Sequence, residues 1–231
     1  MSVRSTLWNA RVLITRSHLL APVGRAALQT LSWLLRHNPI QRYSRPIREA
    51  RYVNAGCGRK AHPGFINLDY TWYPGVDLLW DLSWELPFPD GSLHGIYTEH
   101  CLEHLPFELV TRKVLPEFQR VLAPGGRLRL IVPDAGLYLS LYAEAAINPG
   151  VRFPLHDDAL ATPIMYVNRC FRDHDHLYAY DFETLRHFLL KARFSNVERR
   201  GFMDGGDSAL LLDSLERSSE SLYLEAVKSE K

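Results

Sequence analysis

From residue 51 onward the chain alternates short apolar runs with stretches of helical spacing. The runs at 51–55 (RYVNA), 65–69 (FINLD), 76–81 (VDLLWD), 94–99 (HGIYTE), 127–132 (RLRLIV), 196–201 (NVERRG) and 221–228 (SLYLEAVK) read as strands. In the last of them Leu222, Leu224 and Ala226 alternate with Tyr223, Glu225 and Val227. Helices fit between the strands. Pro106 suits the first turn of a helix running to about Lys113, and Pro116 breaks it, so a second helix starts there and ends near Leu122. The APGG run at 123–126 stops that helix and turns into the next strand. Further helices are expected at 136–146 and at 182–193. In the second, Asp181 is the N-cap and Phe182, Leu185, Phe188 and Leu189 share a face. Residues 148–180 show little periodicity and read as a long loop, functional or disordered. Strands interleaved with helices imply an α/β domain with a mainly parallel sheet and helices on both faces.

The first 50 residues differ in kind. Residues 1–48 carry eight arginines (Arg4, Arg11, Arg16, Arg25, Arg36, Arg42, Arg45 and Arg48), no lysine and no acid, although the whole chain has a net charge of only +1. Val23, Ala27, Leu31, Leu34 and Leu35 recur there at helical spacing. The division is therefore 1–50, a basic amphipathic helical extension, and 51–231, the α/β domain. The extension reads in three ways: a helix packed on the domain with its arginines in water, a peripheral contact with an anionic membrane surface, or a mitochondrial presequence. Nucleic acid is disfavoured, because no basic-aromatic interleaving continues into the acidic body. No apolar run reaches the length of a membrane span. Three scattered cysteines, Cys57, Cys101 and Cys170, fit a reducing compartment, and a cytoplasmic location is expected.

In open parallel sheets ligands bind beyond the carboxyl ends of the strands. The residues there are Asn54 to Gly58, then Asp69, Asp81, Glu99 with His100, and Pro133 with Asp134. Three carboxylates at successive strand ends beside a Gly-x-Gly turn form a constellation. Gly56, Gly58 and Ala61 satisfy the letter of a dinucleotide fingerprint, but His62-Pro63-Gly64 leaves room for barely two helical turns. Asp69 also follows Gly56 by only 13 residues. The pattern favours a ligand with ribose hydroxyls and no pyrophosphate.

The segments VNAGCG (53–58), INLD (66–69), VDLLWDLSWELPFPDGSLHGIYTEHCLEHL (76–105), EFQRVLAPGGRLRLIVPD (117–134), HLYAYDFETLRHFL (176–189) and SLYLEAVK (221–228), in this order and spacing, resemble the class I S-adenosylmethionine-dependent methyltransferases. The resemblance is greatest to a bacterial branch with a shortened first helix, the methyltransferase type 11-like proteins. It implies a Rossmann-like, seven-stranded sheet whose last strand runs antiparallel, an enzyme, and S-adenosylmethionine as cofactor. It places Gly56 and Gly58 against the methionine half of the cofactor, and Asp69 on the ribose hydroxyls. Asp81 and the Leu82 backbone fall at the adenine, and Glu99 and His100 at the sulfonium. Many relatives carry an acid where Asn54 stands; its amide oxygen accepts a hydrogen bond from the cofactor ammonium but brings no charge.

The acceptor is read from less. The Asp/Asn-Pro-Pro-aromatic motif of nucleobase amino-methyltransferases is absent, and TEHCLEHL stands in its place. His100 and His104 are the nearest candidates for a base. In RDHDHLYAY (172–180), His174 and His176 read as part of a lid over the acceptor pocket rather than as metal ligands, and no metal site is expected. The expected reaction is methyl transfer to a small-molecule, glycan or lipid-linked acceptor, at oxygen or carbon. The alternative is a non-catalytic module of the same fold that binds the cofactor or a partner.

Overall fold

The computed structural model describes residues 49–229 apart from Trp72, together with Ala27 and Thr30, which are helical. The remainder of the N-terminal extension lies outside the described residues.

All seven expected strands are present. They are β1 (Tyr52–Ala55), β2 (Ile66–Asp69), β3 (Leu78–Leu79), β4 (Leu93–Glu99), β5 (Leu122–Pro133), β6 (Phe194–Arg200) and β7 (Ser221–Lys228). They form one sheet in the order β3-β2-β1-β4-β5-β7-β6. The pairs among β1 to β5 are parallel, and β7 is antiparallel to both β5 and β6. Residue parity sorts the side chains. Val53, Ile96, Leu128, Leu130, Leu222 and Leu224 point into the main core. Tyr97, Ile131 and Tyr223 point to the opposite face.

The main core is closed by two helices, α1 (107–121) and α4 (Phe182–Lys191), through Val110, Val114, Leu115, Phe118, Leu185 and Leu189. Asp181 caps α4 as expected, its Oδ1 accepting from the Thr184 N–H at 2.9 Å. The expected break at Pro116 does not occur. The helix runs through it, with a π-helical segment at Val110–Val114 immediately before. Pro116 lacks an N–H and its ring crowds the carbonyl four residues back; the wider π turn absorbs both defects within one continuous helix.

The long segment after residue 148 is also more ordered than its sequence suggests. It contains α3 (Pro163–Arg172), with Pro163 in its first turn, followed by a 3₁₀ turn at Asp173–Asp175. Tyr166 and Cys170 of α3 pack with Phe153 and with Tyr138 of α2 (Ala135–Ala145) in a small separate cluster beyond the sheet end. This is a docked helix where a loop was expected.

The second face of the sheet carries the least expected feature. Arg129, in the middle of β5, is fully buried. Its guanidinium pairs with Asp213, whose side chain is also 0% exposed, through a bond from Nε to Oδ1 at 2.7 Å and a second from Nη2 to Oδ2. It also donates to the carbonyls of Asp204 at 2.7 Å and Gly201 at 3.0 Å, and lies over the Tyr223 ring. The neighbouring Arg127 pairs with Glu225, which also accepts from the Gly206 N–H. These bonds fasten the β6–β7 connection, residues 201–220, across the face and up to the carboxyl ends of β4 and β5.

Candidate active site

The turn after β1 is built by its glycines. Gly56 has φ +71° and Gly58 φ +54°, a region open to glycine at little cost. The N–H groups of Gly56 and Cys57 both bond the Leu68 carbonyl, at 2.8 and 3.0 Å, so the turn continues the β1–β2 ladder. A Cβ on Gly56 would lie 2.2 Å from Cys101 Sγ; the glycine lets the β1 turn press against the end of β4. At Gly58, by contrast, the space a Cβ would take is open.

Asp69 stands at the end of β2, where its Oδ2 accepts from the Gly58 N–H at 2.8 Å and its Oδ1 from Thr71 at 2.6 Å. Asn54 is buried and directs its amide Nδ2 to the Lys60 carbonyl at 2.8 Å and to Asn67 Oδ1 at 3.2 Å. Asn67 in turn holds His62, Phe65 and Asp77. The shortened crossover is thus a polar knot, and Asn54 is one of its ties. Asp81, two residues past β3, is buried, with Oδ1 accepting from the Ser83 N–H at 2.8 Å, and Leu82 beside it is buried too.

At the end of β4 the β6–β7 connection meets the strand. Glu99 accepts from the Ser214 N–H at 2.9 Å and from the Ser214 hydroxyl, and Lys60 Nζ stands 3.6 Å away. Lys60 also contacts Ser214 and Glu216. His100 has φ +48°. Its Nδ1 is 2.7 Å from Arg217 and its Nε2 2.8 Å from Ser221 Oγ. A guanidinium can only donate, so Nδ1 accepts and Nε2 carries the proton. Burial and the Arg217 charge push the His100 pKa down to about 2. Both its nitrogens are engaged, and it stays neutral.

Beyond Pro133 and α3 lies a cleft of about 250 Å³, bordered by Lys60, His100, Arg169, His174, His176 and Arg217. His104 lies beside it, its ring 4.9 Å from that of His176, and burial followed by the neighbouring imidazole lowers its pKa to about 4. Of the expected site residues, Gly58 and Asp69 meet directly, Gly56 meets the β4 end at Cys101, and His100 reaches the cleft wall. Lys60, Ser214 and Arg217 were not legible as site residues, because chain segments more than 100 residues apart bring them together.

Residues 73–130 match the family model described as a methyltransferase domain. That stretch runs from before β3 into β5 and includes Asp81, Glu99, His100 and His104. Over those residues the chain is similar to methyltransferase-domain proteins, and its sheet order with the reversed seventh strand is that of the Rossmann-like methyltransferase fold. The chain is an enzyme, and S-adenosylmethionine is its methyl donor.

No curated protein sequence matches this methyltransferase. Among solved structures it is similar to an S-adenosylmethionine-dependent methyltransferase from Archaeoglobus fulgidus (16% identity, TM-score 0.45, covering 85% of this chain and 94% of that one). It is also similar to the 1,6-didemethyltoxoflavin-N1-methyltransferase of Burkholderia thailandensis (16%, 0.47, 92% and 90%). A third is a methyltransferase from Mesorhizobium loti (18%, 0.46, 82% and 96%).

The strand ends of this methyltransferase fit the donor. The open space over Gly58 admits a ligand close to the backbone. Carboxylates stand at the ends of β2 and β3, where a nucleoside's hydroxyls and amino group offer donors. Cys57 and Cys101 line the same turn, and burial holds both thiols protonated, Cys57 up to about 12.

Proposed function

We propose that the methyltransferase methylates a small polar acceptor at oxygen, and that this acceptor is a free metabolite or the terminal unit of a glycan or lipid-linked precursor. The cleft carries this reading. Its volume of about 250 Å³ suits one small molecule or chain end, and its border mixes cationic Lys60, Arg169 and Arg217 with acidic Glu216 and Glu220. Such a lining recognises a polar, hydroxyl-rich group.

On this reading Gly56 and Gly58 hold the methionine half of the donor against the backbone. Asp69 takes the ribose hydroxyls, and Asp81 with the Leu82 N–H takes the adenine. Asn54 shapes the turn through Lys60 and Asn67. Glu99 and His100 form the wall between donor and acceptor, fixed by Ser214, Arg217 and Ser221. The donor supplies an activated methyl group, so the protein's part is in-line positioning and exclusion of water. His100, with both nitrogens engaged, positions the acceptor side.

The arginines of residues 1–48, unopposed by any acid, would supply a contact with an anionic membrane surface, where a lipid-linked acceptor resides. None of the described helices is long and apolar enough to cross a membrane.

Calorimetry with S-adenosylmethionine and S-adenosylhomocysteine tests the donor site. Binding of both is expected, and no heat and no thermal shift at millimolar ligand would overturn it. Incubation with panels of hydroxylated metabolites, reading S-adenosylhomocysteine release and product mass, tests the acceptor class. Turnover confined to nitrogen acceptors would refute the oxygen assignment. Cosedimentation with phosphatidylserine vesicles, lost on deletion of residues 1–45, tests the membrane contact.

A further inference from the structure

Glu103 sits in the 3₁₀ turn Leu102–His104 directly after β4 and is 1% exposed. Neither of its carboxylate oxygens receives a hydrogen bond. A buried carboxylate without donors is rare, because it loses its hydration and gains nothing in return.

What surrounds Glu103 is a set of imidazole nitrogens. His104 Nε2 lies 3.8 Å from Oε1 and His176 Nε2 3.9 Å from the same atom. The tautomer of His176 is fixed, since its Nδ1 is 2.7 Å from the Cys170 carbonyl, which can only accept. Nε2 of His176 therefore turns a lone pair toward an oxygen that also has lone pairs. The arrangement is held by the backbone: the N–H groups of Leu177 and Tyr178 both bond the Glu103 carbonyl, at 2.7 and 3.3 Å. The chain thus clamps two bases and a carboxylate together with no proton bridge short enough to join them, as 3.8–3.9 Å is beyond hydrogen-bond reach.

We propose that Glu103, His104 and His176 form a binding site for a divalent transition-metal ion of the zinc or manganese class. One ligand atom from each lies within 4.8 Å of the other two. Around a tetrahedral ion with bonds of about 2.0–2.1 Å, ligand atoms stand about 3.4 Å apart, so closure moves the imidazoles about half an ångström toward Glu103 and narrows the widest pair by up to about 1.4 Å, within reach of side-chain rotation. Two imidazoles and one carboxylate are a borderline donor set suited to such ions, and they leave a fourth position free. The bond from His176 to the Cys170 carbonyl is the outer contact that orients a ligating histidine. His100 Nδ1, 3.6 Å from Oε1, is already taken by Arg217 and stays outside the set. Arg217 adds a positive charge nearby, opposed by Glu220 at 3.5 Å. Because His176 also borders the cleft, the ion would stand at the cleft's edge. There it would bind an acceptor oxygen and lower the pKa of its hydroxyl. That role rests on the methyl-transfer reading, whereas the binding of the ion does not.

The test uses full-length protein stripped with chelator. Titration calorimetry with zinc, manganese and magnesium chlorides is run beside Co²⁺ absorption spectroscopy and thermal melting. The expected result is one zinc or manganese ion per chain, a cobalt spectrum of a low-coordinate nitrogen–oxygen site, and a raised melting temperature. Glu103→Gln, close to isosteric, and His176→Ala should each lose at least about tenfold in affinity. His174→Ala, changing an exposed neighbour outside the set, should bind as wild type. S-Adenosylhomocysteine binding by every variant verifies that it is folded. Absence of binding by the wild type overturns the site. So does unchanged affinity in folded Glu103→Gln, which would mean an adventitious surface ion only. Metal binding without S-adenosylhomocysteine binding would refute the donor site and leave the ion site standing.

Discussion

Asp213→Asn is expected to be among the most damaging single polar changes in this protein. Asp213 and Arg129 are both fully excluded from water, and they share two hydrogen bonds. Asp213 Oδ2 also accepts from the Met203 N–H at 2.6 Å. Asparagine keeps the shape but leaves the guanidinium as an uncompensated buried charge. It also turns one acceptor into an NH₂ facing either Arg129 or the Met203 N–H. Breaking a buried pair on one side costs about 3–5 kcal/mol. With a urea slope of about 2 kcal/mol per molar, the midpoint should fall by about 1.5–2.5 M at constant slope. Circular dichroism during urea titration reads this directly. A shift below about 0.5 M would refute the claim that the pair holds the β6–β7 connection. The double variant Arg129→Met with Asp213→Leu should recover part of the loss. Full recovery is not expected, because the Gly201 and Asp204 carbonyls and the Met203 N–H lose partners worth about 1–3 kcal/mol each.

Three further outcomes are expected. Gly56→Ala combines a left-handed φ with a Cβ 2.2 Å from Cys101 Sγ, and should destabilise by about 1–3 kcal/mol in urea titration, with part of the loss recovered in a Cys101→Ala background; an equal loss in both backgrounds would exonerate the sulfur. Asp69→Ala should abolish the thermal shift given by S-adenosylhomocysteine, a shift that reflects about 2.7 kcal/mol at a ligand concentration a hundred times Kd in the wild type; an undiminished shift would move the donor elsewhere. Hydrogen bonds from Thr184 hold the Asp181 carboxyl below its ordinary pKa, so its stabilisation is present above the unfolded-state value and lost as pH falls through the folded-state one; Asp181→Ala should cost about 1 kcal/mol at pH 7, and its melting deficit should shrink toward pH 3.

The strands were legible because each is a short run with turn residues at its borders, and strand ends are where an α/β sheet keeps its ligands. Asp69 and Asp81 could therefore be placed by counting. Four features escaped. Helix α3 exposes Ile164 and Met165 and buries Tyr166, Val167 and Cys170, so its apolar stripe is blurred by its own surface. Pro116 reads as a break because the π turn that accommodates it has no local sequence signal. Arg129 reads as a solvent position in the alternation RLRLIV, since the pattern of one strand says nothing about a distant aspartate that comes to cover it. Glu103 was hidden similarly: in the run 172–180 only His176, and not His174, is buried against it.

The anchoring of the β6–β7 connection also bears on how the enzyme can diverge. One uninterrupted segment contains Asp213, locked beneath the sheet, and then Ser214, Glu216 and Arg217, which touch the β4 end or border the cleft. Changes that would tune acceptor choice there sit one to four residues from a position on which folding depends. New specificities should therefore arise on the opposite wall. Along α3, Arg169 borders the cleft from a helix whose own packing partners are a small peripheral cluster, and substitution there leaves the sheet untouched.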